Sequence, residues 1–180
     1  HLQKYTWIVA PRSAIAGLRK EIFDWQMNID PVFMTYDELV KYMELGGMSP
    51  PDVVLFDECS KLKSWTTLRT KSAFNLTEAM RMSCDDPYIL AMSGTPAPKN
   101  PVDIWAQIEV ICPGYIKESR PKDLEKRLSL VEYKESETGG SYPHRICWYE
   151  SDNICAACGL EREAHILSPD NPMVDHPFKK

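Results

Sequence analysis

The sequence predicts an α/β domain, a parallel sheet with helices on both faces, followed by a small irregular tail. Two observations lead there. Up to about residue 112, short β-branched or apolar runs alternate with longer stretches of helical periodicity, the pattern of strand–helix–strand units. After Pro113-Gly114 that alternation gives way to Gly, Pro, Asp, Asn, Cys and His with little periodicity. The bulk numbers agree: 180 residues with 43% hydrophobic and 26% charged content suit one ordinary domain plus an appendage.

The elements follow in order. Residues 5–10 read as a buried strand, and residues 13–26 as a helix carrying Ile15, Leu18, Ile22 and Trp25 on one face, with Ser13 as N-cap. Residues 32–35 form a second strand, and residues 36–45 a helix that Gly46-Gly47 would stop. A third strand spans residues 52–56, a long amphipathic helix residues 66–83, and a fourth strand residues 88–92. Asn100 as cap and Pro101 at the first helical position open a helix over residues 101–111. The expected organisation is a lobe over residues 1–115, a helical connector over 116–134 with one charged helix at 121–133, and a tail over 135–180.

The bulk properties also narrow the function classes. A net charge of −5 gives no global basic field, which argues against a passive nucleic-acid coat but allows a grip on a few phosphates. The longest apolar runs are far too short to cross a bilayer, so no membrane partner is expected. The start at His1, without Met or a signal-peptide pattern, reads as cut from a longer chain. Of the six cysteines, Cys59, Cys84 and Cys112 are scattered, whereas Cys147, Cys155 and Cys158 cluster among histidines. That pattern suits metal ligation in a reducing, cytoplasmic setting better than a disulfide framework.

Two segments carry chemistry. Val53-Val54-Leu55-Phe56-Asp57-Glu58 is an apolar strand ending in adjacent carboxylates. Such a tip suits Mg²⁺–nucleotide chemistry: the first acid holds the cation and the second polarises a water. A strand followed by an acidic helix cap is the plainer alternative. In Met92-Ser93-Gly94-Thr95-Pro96 a strand runs into two hydroxyls on a stiff turn, with a glycine that permits close approach of a phosphate or a loop. A rigid strand-to-helix connection is the alternative there.

Together, in this order, the two segments closely resemble motifs II and III of superfamily-two helicases. The run Ser93-Gly94-Thr95-Pro96-Ala97-Pro98, followed by Asp103-Ile104-Trp105-Ala106-Gln107, is similar to the Snf-type DNA-dependent ATPases, the phage and bacterial members in particular. Ile8-Val9-Ala10-Pro11-Arg12-Ser13, with Leu18 and Trp25 behind it, resembles motif Ia, and Met34-Thr35-Tyr36 resembles motif Ib. The resemblance covers residues 8–107. It implies a partial RecA-like first lobe that works with ATP and Mg²⁺, against a second lobe, on duplex DNA held by its phosphate backbone. Asp57 would help hold Mg²⁺, and Glu58 would orient the attacking water. Ser93, Gly94 and Thr95 would couple nucleotide state to DNA grip. Pro11, Arg12, Ser13, Thr35 and Tyr36 would line the strand-tracking surface. Lys61 and Lys63 read as solvated lysines, with phosphate contact as the alternative, and Cys59 as a small filler.

No Gly-x-x-x-x-Gly-Lys-Ser/Thr loop occurs, so the residues that cradle phosphates in such motors are missing and the chain alone is expected to hydrolyse no ATP. In related folds the strand bearing that loop pairs beside the motif III strand. Without it, the edge at Leu90-Ala91-Met92 is expected to be unpaired and prone to association.

In the tail, Cys155-Ala156-Ala157-Cys158-Gly159 is a metal knuckle, two thiolates on a tight turn. Zn²⁺ held by Cys155, Cys158, His165 and His176 is the first expectation. His144, Cys147, Cys155 and Cys158 form the alternative set, and a metal-free loop the third. A second functional reading, from another class, is a non-catalytic zinc-containing module that binds nucleic acid or protein.

Overall fold

The computed structural model describes residues 4–46, 49–137 and 139–148. The chain divides into two compact units between Ser119 and Arg120. Among the described residues no helix is long and apolar enough to cross a membrane.

The first unit is a four-stranded sheet in the order β2-β1-β3-β4, built from β1 (Thr6–Val9), β2 (Val32–Met34), β3 (Val53–Asp57) and β4 (Tyr88–Met92). Every pairing is parallel, so all four strands end at the same edge of the sheet. Alternation along the strands sorts the side chains onto two faces. Trp7, Val9, Val54 and Phe56 point to one side and are almost fully buried, beside Leu39, Leu76 and Met80 from two helices. Each such side chain contributes about 1.5–3 kcal/mol by leaving water.

Those helices are α2 (Tyr36–Glu44) and α3 (Leu68–Ser83), which cover this face. In α2 the Thr35 hydroxyl accepts from the Glu38 amide at 3.2 Å, and the Glu38 carboxylate accepts from the Thr35 amide at 2.7 Å. This reciprocal box satisfies two orphan amides. Glycine is needed where α2 stops, because Gly46 takes φ 73°. The long helix α3 begins two residues later than the sequence suggests. The Thr67 hydroxyl caps it, accepting from Thr70 at 3.3 Å.

The opposite face carries α1 (Arg12–Asp24), whose Arg19 stacks 4.6 Å from the ring of Phe33. Phe33 is in register with Ile8, on the side away from Trp7 and Val9. Ser13 does not cap α1: Pro11 precedes the first turn with φ −57° and ψ 144°, and no side chain caps the helix. The fixed proline φ sets the entry, so the helix starts at Arg12. Trp25 lies past the last turn and is 75% exposed.

The last helix of this unit, α4 (Asp103–Ile111), also starts later than expected. Asn100 caps a preceding turn instead, its side-chain oxygen accepting from Val102 at 3.0 Å. Arg81 of α3 ties the end of α4 down by donating to the Val110 and Ile111 carbonyls at 2.9 and 2.6 Å.

The second unit departs from the expected connector. Helix α5 (Pro121–Leu128) is shorter than the single charged helix predicted at 121–133, and the chain continues as β5 (Ser129–Glu135). An antiparallel partner, β6 (Ser141–Trp148), completes a hairpin. The connecting loop contains Gly139 at φ 84°, which a glycine adopts without steric cost.

Candidate functional site

Register places the distinctive residues together. Asp57 pairs with Met92 at the last position of the β3–β4 ladder, so the chain that follows each strand emerges side by side. Beyond Asp57 the backbone must leave the strand abruptly to enter a 3₁₀ turn at Cys59–Leu62. Glu58 makes that bend in the left-handed region, at φ 51° and ψ 51°. For a residue with a Cβ this costs roughly 1–2 kcal/mol.

The bend aims Glu58 at the turn after β4. Ser93 Oγ donates to Glu58 Oε2 at 3.2 Å, and Ser60 Oγ lies 3.5 Å from the same oxygen. The Thr95 amide in turn donates to Ser93 Oγ at 3.1 Å, which holds the hydroxyl in place. No hydrogen bond or ion pair among the described residues occupies the Asp57 carboxylate, which leaves its lone pairs open to a cation. Gly94 has no contact that a Cβ would disturb. Packing within the described residues does not demand a glycine there, and the open space beside it faces solvent.

Behind this pair sits Tyr36. Its hydroxyl donates to the Asp57 carbonyl at 2.7 Å, and its ring stacks on Phe56 at 6.5 Å. Burial first, then the nearby Cys59, Asp57 and Glu58, pushes the phenol well above its ordinary value. The side chain is only 4% exposed. The expectation that Tyr36 lines a DNA-tracking surface is therefore corrected: its side chain is a core strut beneath the acid tip. Thr35 is half-buried and spends its hydroxyl on the α2 cap. Pro11 is half-buried, and Arg12 and Ser13 are exposed at the start of α1. All of them lie at the same strand-end edge as Asp57. Lys61 is exposed and Lys63 half-buried.

One residue of this site was not singled out from sequence. Gln107 of α4 is 2% exposed, and its amide touches both loops. The Cys59 thiol donates to Gln107 Oε1 at 3.0 Å, while Gln107 Nε2 donates to the Pro96 and Asp103 carbonyls at 2.5 and 2.8 Å. Two carbonyls can only accept, so they fix which end of the amide faces them. Cys59 is thus more than filler, and burial raises its thiol above the ordinary range. The available signal was a lone amide beside Ala106 and Val110 in an otherwise apolar stretch of α4.

Among the described residues no group of three or more His, Cys, Asp or Glu gathers to hold a metal ion. The expected zinc ligands Cys155, Cys158, His165 and His176 lie outside the described residues. His144, from the alternative set, is exposed on β6.

The parallel sheet flanked by helices, with its chemistry-bearing residues at the strand tips, is a RecA-like α/β fold. No family model matches the chain. No curated protein matches it either. Among solved structures it is similar to the Sulfolobus solfataricus SWI2/SNF2 ATPase core in complex with dsDNA, with a TM-score of 0.53 and 17% identity. The match covers 69% of this chain and 28% of that one, so the chain spans well under half of that protein's length. At this identity the likeness is one of fold.

Proposed function

We propose that the chain is part of the first lobe of an ATP-driven motor that moves on duplex DNA, of the Snf type. The observation that carries this reading is the contact between Glu58 and Ser93 on a common sheet edge. An acid at one strand tip and a hydroxyl turn at the next frame half of a nucleotide pocket, where open α/β sheets bind ligands. The likeness in fold to an ATPase core solved with dsDNA supports it.

The donor set fits Mg²⁺ with ATP. Asp57, with its carboxylate oxygens open, would hold the cation, which would neutralise charge on the phosphates when bound. Glu58 orients the attacking water and accepts its proton, and Ser93 fixes the rotamer of that carboxylate. Arg12 and Ser13, beside Pro11, present backbone amides, a guanidinium and a hydroxyl to the DNA phosphates, and Thr35 adds the proton of its hydroxyl, its amide being held by Glu38. A second motor lobe supplies the remaining half of the pocket, and the cytoplasm is the proposed setting. Zn²⁺ at Cys155, Cys158, His165 and His176 is proposed on sequence spacing alone.

The test is ATP hydrolysis, with and without duplex DNA, by this chain expressed together with the coding sequence that flanks it. DNA-stimulated turnover is expected, and Glu58→Gln should lower it by about a hundredfold or more, the scale of removing a positioned catalytic base. The 180-residue chain alone should show none. An unstimulated, ATP-inert longer protein would instead support the non-catalytic module and overturn the motor.

A further inference from the structure

The two loops that make the site are joined at a second place, deeper than the Glu58–Ser93 contact. Gln107 projects from α4 into the space between them with its amide fully engaged: thiol on one side, two main-chain carbonyls on the other. Cys59 is the residue immediately after Glu58, and Pro96 lies three positions after Ser93. A rigid helix is therefore bonded to both loops within a few atoms of the groups that must stay in register.

We infer that Gln107 is a positioning residue that locks the acid-bearing loop after β3 to the hydroxyl turn after β4, and so sets where Glu58 sits relative to Ser93. The Cys59 bond is buried and the two carbonyl bonds are part-buried, so an unpartnered Gln107 oxygen or Cys59 thiol carries a desolvation penalty. The consequence of the lock for turnover rests on the motor reading above, while the lock itself does not.

The experiment measures the rate at which Cys59 is alkylated by iodoacetamide in the 180-residue chain, resolved by peptide mass spectrometry from the other five cysteines. Gln107→Leu keeps the volume and removes every bond. Cys59 in that variant should label about tenfold faster, the equivalent of one buried hydrogen bond lost from a local opening. The increase should be flat across low urea, since a local opening exposes little surface. A purely structural role predicts otherwise: labelling would rise only in step with global unfolding and with its full urea dependence. That outcome, or a Cys59 as protected as in the parent chain, overturns the lock. In the longer protein, Gln107→Leu should lower kcat for ATP with KM little changed, while Cys59→Ser, which keeps a donor, should retain turnover. An inactive parent protein sinks the motor reading and leaves the labelling result to decide the lock. An active parent whose kcat ignores Gln107→Leu sinks the positioning role.

Discussion

Ser93 Oγ donates to Glu58 Oε2 across 3.2 Å, joining the end of β3 to the end of β4 by a bond that neither strand could make within itself. Glu58 reaches it only because its backbone is bent into the left-handed region. The serine is held from behind by the Thr95 amide. A rarely adopted backbone and a pre-positioned hydroxyl converge on one carboxylate oxygen, and strained positions of this kind cluster at functional sites.

Removing the hydroxyl separates stability from function. The bond is only part-buried, so Ser93→Ala should lower the unfolding free energy by no more than about 1 kcal/mol. In the longer motor proposed above, the freed carboxylate would lose its fixed direction. DNA-stimulated ATP turnover should fall by about tenfold, with nucleotide affinity little altered. Denaturant melts of the variant alongside steady-state kinetics check both halves. Unchanged turnover would show that Glu58 needs no help from Ser93.

The bend at Glu58 makes a second prediction, with an internal control. Among the described residues two non-glycine residues have positive φ, Glu58 at 51° and Gln26 at 48°. Gln26 follows α1, where its amide donates to Phe23 and the Met27 amide to Ile22, each at 3.0 Å. Glycine relieves the Cβ clash in either place, at some entropic cost in the unfolded chain. Gln26→Gly and Glu58→Gly should each raise stability by about 0.5–1 kcal/mol in urea melts. Only Glu58→Gly should abolish ATP turnover in the longer protein. A loss of stability at Glu58 would mean that its carboxylate contacts outweigh the strain.

Much of this was legible in the sequence because strands and their tips are local features. An apolar run ending in Asp57-Glu58, and another ending in Ser93, announce both the strand and the edge at which the chemistry sits. What was not legible depended on neighbours distant in the chain. Tyr36 reads, through the resemblance, as part of a DNA-facing surface, yet with Leu39 it forms the buried i,i+3 stripe of α2. Gln107 stands in the run that carries the family resemblance, but its place between two loops is set by how α4 packs. The β5–β6 hairpin was hidden because the charge periodicity of residues 121–128 was carried past Leu128, over a glycine-containing loop that signals a hairpin.

Tyr36 also sets a pH dependence. Its phenol is raised above the ordinary 10.0, chiefly by burial and then by Cys59, Asp57 and Glu58. A raised folded value means that the full contribution is present below pH 10.0, where both states keep the proton. Above that, the unfolded state ionises first and stability falls, by up to about 1.4 kcal/mol per pH unit. Tyr36→Phe should therefore cost about 1–2 kcal/mol at pH 7, since the Asp57 carbonyl loses its donor. The variant should then lose less stability than the parent chain on going above pH 10.0. Tyr42 and Cys59 are raised as well, so the difference between the two melting series, not either alone, isolates Tyr36. Parallel alkaline profiles would refute it.

The outer strand carries the last prediction. Among the described residues β4 pairs with β3 alone, which leaves one row of its amides and carbonyls without a ladder. Tyr88, Leu90 and Met92, all on one face, are 48%, 50% and 44% exposed. An open edge beside an apolar row is a template for another strand, and no Pro or inward charge interrupts residues 88–92 to blunt it. The purified 180-residue chain should therefore associate, its average mass in sedimentation experiments rising with concentration. Leu90→Lys places a charge in the middle of that row. Because the side chain is half exposed, the cost in folding stability should stay within about 1 kcal/mol, the span of strand propensities. Its effect on association should be far larger, since a second strand would have to bury the ammonium. If the parent chain sediments as a monomer at every concentration, the edge is blunted by something other than sequence, and Leu90→Lys will change nothing.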